Sequence, residues 1–181
     1  MRIRPVIRLT KQTQCGATLI EVLIAMLLFS VGTLSVGLML SYAVQLPKLA
    51  AYRATATHLA AGHIERMRAN PGGNHTSDLN YDGNFSPLAL ADCVYPNCNT
   101  DSLSAMDKAS TQKKAREQLP AGGLQVSCDD TPCTSGNLWL VWQEPSTPAA
   151  LQGQHSDVCP PQVVDRFSKP SPRCHYVRFR L

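Results

Sequence analysis

Glu21 is an acid with no charged company on its C-terminal side until Lys48. It stands five residues after Gly16, and the chain from Val22 to Gln45 carries no charged side chain. A carboxylate inside a membrane helix costs about 2.5–3.5 kcal/mol on insertion scales, so it calls for a cationic partner, a neutral form or a hydrated place at the interface. Of seven cysteines, Cys15 lies in the basic N-terminal segment, and the other six form a second group able to do chemistry: Cys93, Cys98, Cys128, Cys133, Cys159 and Cys174. An even number in a small, loop-rich exported domain reads as disulfides, with fifteen possible connectivities. The rival is a zinc site, because Cys-x4-Cys occurs twice; metal sites use tighter spacing more often. Asp129-Asp130 is a paired acid in a turn, open to calcium but expected to be solvated. His58 and His63 lie five apart, not the four that puts two ligands on one helix face, and are expected to be solvated or half-buried. His155, Ser156 and Asp157 adjoin in sequence, which makes no triad. Gly-x-Ser-x-Gly, the phosphate-binding glycine loop and His-Glu-x-x-His do not occur. No catalytic residue, cofactor or metal is therefore expected.

The elements that must position these groups follow from charge and hydropathy. The chain has 181 residues, room for one modest domain beside a membrane helix. Arg2, Arg4, Arg8 and Lys11 all precede Gly16, and no acid does. Without those four of the 17 basic residues, 13 remain against 13 acidic ones, so the rest is formally neutral. A neutral body argues against a general nucleic-acid binder, which needs a cationic surface to displace counterions. The basic cluster reads as the cytoplasmic flank of a membrane segment. The apolar run after Glu21 is long enough to cross a hydrocarbon core of about 30 Å at about 1.5 Å per residue. An ordinary secretory signal is the alternative, with Ser41-Tyr42-Ala43 as a cleavage site. The run exceeds an h-region of roughly 7–15 residues, and such a signal has no use for Glu21.

The stretch Cys15-Gly16-Ala17-Thr18-Leu19-Ile20-Glu21-Val22-Leu23-Ile24, behind its basic leader, resembles the class III signal of type IV prepilins and type II secretion pseudopilins. The resemblance makes Gly16 the last leader residue, Ala17 the new N-terminus and Glu21 the fifth mature residue. Most members carry Phe or Met where this chain has Ala17. By the same resemblance, prepilin peptidase cleaves between Gly16 and Ala17 and N-methylates Ala17. Glu21 then pairs with the N-terminal amine of a neighbouring subunit during assembly; its own amine, one helical turn away, is also in reach. The segment from Leu59 to Pro71, with Glu65-Arg66-Met67-Arg68-Ala69-Asn70-Pro71, resembles PilV-type minor pilins (type IV pilus modification proteins). So do Leu119-Pro120-Ala121-Gly122-Gly123 and Leu140-Val141-Trp142.

Beyond the membrane run, Leu49, Tyr52, Ala56, Ala60, Ile64 and Met67 recur at spacings of three and four, one apolar stripe of a continuing helix. Asn70-Pro71-Gly72-Gly73 stops it, and Gly32, Gly37 and Pro47 are its weak points. Residues 71–102 have loop chemistry. A short helix is expected from Leu103 to Leu119, with Met106, Ala109, Lys113 and Arg116 as its periodic positions. Strands are expected at Leu124–Cys128, Leu138–Gln143 (its aromatics on one face) and His175–Leu181, with a Pro-rich excursion from Pro145 to Pro172. Turn-like sequences inside the two Cys-x4-Cys spans favour Cys93–Cys98 and Cys128–Cys133, and Cys159–Cys174 would close the excursion onto the last strand.

The expected fold is α+β and type IV pilin-like: a long N-terminal helix packed on a small antiparallel sheet of three or four strands with disulfide-stapled loops. Residues 1–16 are the cleaved leader, 17–46 the transmembrane and assembly half of the helix, 47–70 its head half, and 71–181 the globular head. The implied role is structural, not enzymatic: a minor pilin placed in a priming or tip complex, supporting pilus assembly, adhesion and twitching motility. Its implied partners are the prepilin peptidase, other minor pilins and the major pilin, the assembly platform and inner-membrane lipid. Its implied place is the bacterial inner membrane, single-pass with the N-terminus cytoplasmic and the head periplasmic, then the pilus surface. Two alternatives stand beside it: a minor pseudopilin of type II secretion, against which the cysteine-rich head argues, and a membrane-anchored periplasmic binding or enzymatic domain.

Overall fold

The computed structural model describes residues 16, 18–79, 93–94, 96–144, 157–166 and 172–181. The basic residues of the leader, Ala17, the His155–Ser156 pair and much of the 145–172 excursion lie outside them. Among the described residues the order of elements is α1 (Leu19–Ala69), α2 (Thr100–Gln118), β1 (Gly123–Cys128), β2 (Ser135–Trp142), α3 (Pro161–Arg166) and β3 (Arg173–Arg180). The result is the type IV pilin-like α+β fold: a long apolar N-terminal helix, a three-stranded antiparallel sheet and disulfide-closed loops. The chain divides into two compact units, Met1–Gln45 and Leu46–Leu181. α1 contributes to both and carries Pro47 inside it.

In the second unit the last turns of α1 bury Ala56, Leu59, Ala60, His63, Ile64 and Met67. Their alternating steps of three and one trace a single helix face. Tyr52 packs at its margin. Asn70 follows the last helical residue, and Pro71 cannot donate to continue the helix.

α2 starts three residues earlier than apolar periodicity indicates. The Asn99 side chain accepts from Ser102 N at 2.7 Å while Ser102 Oγ accepts from Asn99 N at 2.9 Å. This reciprocal cap satisfies two donors that the first turn would otherwise orphan. The buried face of α2 is Ser104, Thr111 and Ala115, not the expected row of Met106, Ala109, Lys113 and Arg116. Thr111 faces the His63 ring, Ala115 enters the apolar core, and the N-terminal part of α2 meets polar backbone. Ser104 Oγ donates to Asn74 O at 3.0 Å, and Asn70 Nδ2 donates to Thr100 O at 2.7 Å.

α2 hands over to β1 at a crowded point. Ala121 sits at φ 53° in the left-handed region. A Cβ on Gly122 would lie 2.0 Å from Ala115 O, so only glycine fits there. The strands pair in the order β1–β2–β3, with Gly123 opposite Val141 and Trp142 opposite Arg173. Ser77 bridges to Val126 on the outer edge of β1.

Trp139 and Trp142 do not share a face. Three residues apart on a period-two strand, they point to opposite sides. Leu124, Val126, Leu138, Leu140, Trp142 and Phe179 join the α1 face in the main core. Trp139 packs with Val141, Val163 of α3, Ala121 and Cys174 in a smaller cluster on the other side.

Candidate functional site

The start of α1 positions the residues that sequence singled out for assembly. Thr18 O accepts from Glu21 N at 3.1 Å and from Val22 N at 3.3 Å, opening the helix shortly after Gly16. Glu21 therefore lies in the first turn, where a carboxylate is favoured by the exposed N–H groups. Gly16 and Glu21 are exposed; Ala17 lies outside the described residues.

From this turn onward the helix offers apolar surface with little polar interruption. Leu19, Leu23, Met26, Phe29, Leu34 and Met39 are each more than 60% exposed. The hydroxyls within the run turn back on the helix: Ser30 Oγ donates to Leu27 O at 2.8 Å, Thr33 Oγ1 to Ser30 O at 2.9 Å, and Ser35 Oγ to Gly32 O at 2.7 Å. Self-satisfied hydroxyls and an intact helical ladder are what a hydrocarbon environment demands. The helix is long and apolar enough to cross a membrane.

The head groups have been put to structural use. Cys93 pairs with Cys98, Cys128 with Cys133, and Cys159 with Cys174. The two acids of the β1–β2 turn organise that turn. Asp130 accepts from Thr134 N at 3.0 Å, from Ser135 N at 3.1 Å and from Thr134 Oγ1. The Thr134 hydroxyl, then the backbone donors, hold its carboxyl below the usual range. Asp129 accepts from Arg178 Nη2 at 2.6 Å. Among the described residues no group of three or more His, Cys, Asp or Glu is placed to hold a metal ion. A cleft of about 630 Å³ opens between the Gly72–Thr76 loop, Asp101 and the turn closed by Cys128–Cys133.

Asp157, next to the His155–Ser156 pair in sequence, serves a different network. Its Oδ2 accepts from Cys174 N at 3.4 Å and lies 3.7 Å from Arg173 Nη1, and its Oδ1 lies 3.7 Å from Arg53 Nη2. Arg173 Nε donates to Glu144 Oε2 at 3.0 Å, both side chains being almost fully buried. His175 beside this network is held below its ordinary pKa, first by burial and then by Arg53, with Asp157 opposing.

One feature had no reading in the sequence, and one was misread. Glu144 and Arg173 are 29 positions apart, and nothing local links them. His63, expected to be solvated or half-buried, is 1% exposed. It occupies the same α1 face as Ala60 and Met67, and Thr111 from α2 meets its ring at 3.0 Å. Its place four residues after Leu59, on the apolar stripe, was the available signal. His58 lies off that stripe and is exposed.

Residues 11–37 match the family described as the Prokaryotic N-terminal methylation motif. No curated protein and no solved structure matches the chain. The matched span contains Gly16, Ala17, Glu21 and the opening turns of α1. It is the motif of chains that a prepilin peptidase processes and that assemble with other pilins after anchoring in a membrane. Joined to the long apolar helix, the small antiparallel sheet and the disulfides, the match supports a type IV pilin-like protein.

Proposed function

We propose that the chain is a minor pilin of the PilV type, with a structural rather than an enzymatic task. Prepilin peptidase cleaves it between Gly16 and Ala17 and methylates Ala17. The freed helix then joins a type IV pilus beside other minor pilins and the major pilin, in the complex that primes or tips the fibre. There it supports pilus assembly, adhesion and twitching motility. Before assembly it crosses the inner membrane once, with the head in the periplasm.

The observation that carries this reading is the continuity of the methylation motif with an exposed apolar helix that opens on Glu21. Apolar side chains exposed to this degree must be covered, first by lipid and then by neighbouring helices. Glu21 supplies the charge that positions the incoming amine. The PilV assignment within the family draws on the Glu65–Pro71 segment, whose Met67 and Asn70 are buried at the end of α1.

Intact mass and N-terminal sequencing of the membrane-extracted protein test the processing step. A chain beginning at methylated Ala17 is expected. A chain beginning at Val44 refutes the assembly reading, and one beginning at Met1 favours a simple anchor. Shearing tests the assembly step: Glu21→Ala should insert in the membrane like the wild type and be missing from sheared fibres. Deletion of the chain should reduce piliation and leave secretion of type II substrates unchanged; the reverse outcome makes it a pseudopilin.

A further inference from the structure

Two imidazoles are shut inside the head, and each has one hydrogen-bond partner on only one of its nitrogens. His63 and His75 both retain 1% exposure. Thr111 Oγ1 gives its single hydrogen to Asp107 O at 2.9 Å. In its 3.0 Å contact with His63 Nδ1 the hydroxyl can then only accept, so Nδ1 carries the proton. His63 Nε2 is left as a bare acceptor, buried and unpartnered. His75 Nε2 lies 2.7 Å from Asn70 O, a carbonyl that can only accept, so Nε2 carries the proton. His75 Nδ1 is the second buried, unpartnered acceptor. The hydrogen bonds thus assign a neutral ring at both positions.

A proton added to either ring makes a new N–H donor with no acceptor beside it, and a charge shut away from water. The neighbours add to the penalty. Arg66 from α1 and Lys108 from α2 are both cations close enough to act on His63, as is His75 from the following loop. The carboxylates nearby are committed to those cations and to backbone. Asp107 lies 3.9 Å from Arg66 Nη1, Asp101 accepts from Asn74 N at 3.1 Å, and Asp101 and Asp78 act on Lys108. Burial first, then His75, Arg66 and Lys108, push His63 down to about 4.

The same residues fasten the segment that follows α1. Lys108 Nζ donates to Asn74 O at 2.8 Å and to Thr76 O at 2.9 Å. Gln112 Nε2 donates to Ser77 Oγ at 3.1 Å, and Ser77 pairs with Val126. Asn70 is tied to both His75 and Thr100. The segment from Asn70 to Ser77 is thus a strap over α2, with one histidine at its root on α1 and the other within it.

We propose that His63 is the trigger of an acid-operated latch: with its ring neutral the 70–77 strap and α2 are held against α1, and proton uptake at His63 releases them. The device is independent of the N-terminal assembly signal.

The test uses the full-length protein in detergent micelles. Ring nitrogen shifts are followed by long-range 1H–15N NMR from pH 8 to pH 4. Urea unfolding by tryptophan fluorescence is measured over the same range. His63 should keep the neutral Nδ1–H form until the strap opens, and His75 should show the Nε2–H tautomer at pH 8. Amide exchange of residues 70–77 and 100–111 should accelerate on acidification before that of β1–β3. Between pH 7.5 and pH 4 the unfolding constant should rise about 100-fold more in wild type than in His63→Gln. A natively folded head with His63 already charged at pH 6 overturns the proposal. So does either ring in the opposite tautomer, or a variant with the wild-type pH slope. Should His63→Gln not fold, the ring titration of the wild type decides alone.

Discussion

Removing Glu144 should unfold the head more readily than the loss of any surface charge. The Glu144 side chain is 4% exposed and that of Arg173 is 10% exposed, with Nε to Oε2 at 3.0 Å. Truncating one partner of such a pair leaves an uncompensated buried charge, typically a loss of about 3–5 kcal/mol. Here Asp157 stands 3.7 Å from Arg173 Nη1 and would compensate in part, so Glu144→Ala belongs at the lower end, about 3 kcal/mol. The double variant Glu144→Leu/Arg173→Met removes both charges and keeps the volume. It should fall within about 1 kcal/mol of wild type or be more stable. Urea unfolding of the full chain in detergent micelles is the assay. The two tryptophans of the chain, Trp139 and Trp142, both sit on β2, so fluorescence reports the head alone. With a slope of about 2 kcal/mol per molar urea, the single variant's midpoint should drop by about 1.5 M. Raising the salt concentration should change the difference little, because the pair is shielded from solvent. A Glu144→Ala midpoint equal to wild type would refute the reasoning, as would a double variant no better than the single one.

Three further outcomes follow from local geometry. Gly122→Ala places a Cβ against Ala115 O where 2.0 Å is available; thermal unfolding should show a loss of about 3 kcal/mol or no folded protein. Asn99→Ala removes the cap of α2 and should lower stability by about 1 kcal/mol, with less helical circular dichroism at intermediate urea. Met67→Ala opens a void at a fully buried position and should cost about 2–5 kcal/mol by the same unfolding assay.

The helix stripe, its Asn-Pro stop and the strands were legible because each depends on neighbours in sequence. An apolar residue every third or fourth position must face a core, and alternation must face a sheet. Even so, the buried face of α2 escaped this reasoning. Its inward residues meet three different surfaces: Ser104 the backbone of the 70–77 strap, Thr111 the His63 ring and Ala115 the apolar core, and no hydropathy pattern records the polarity of a partner. The two tryptophans were read as one aromatic face, although their odd spacing places one on each side of the sheet. The N-cap of α2 was present in the sequence as Asn99 and Ser102, but a cap of two short polar residues is also ordinary loop composition.

The sequence by itself determined the parts whose physics is local. The basic N-terminal residues, Gly16, Glu21 and the uncharged run that follows mark a methylation-type motif and a helix long and apolar enough to cross a membrane, since hydropathy and charge act on consecutive residues. The six cysteines that follow Gly16, an even number beside Cys15, pointed to a cross-linked head. Only the tertiary structure decided which charges are buried together and which histidines are sealed from water. Glu144 and Arg173, or His63 and His75, meet because the chain folds back on itself, and their energies come from the exclusion of solvent at that meeting. Burial is a property of the packed whole, and no residue carries it before the others arrive.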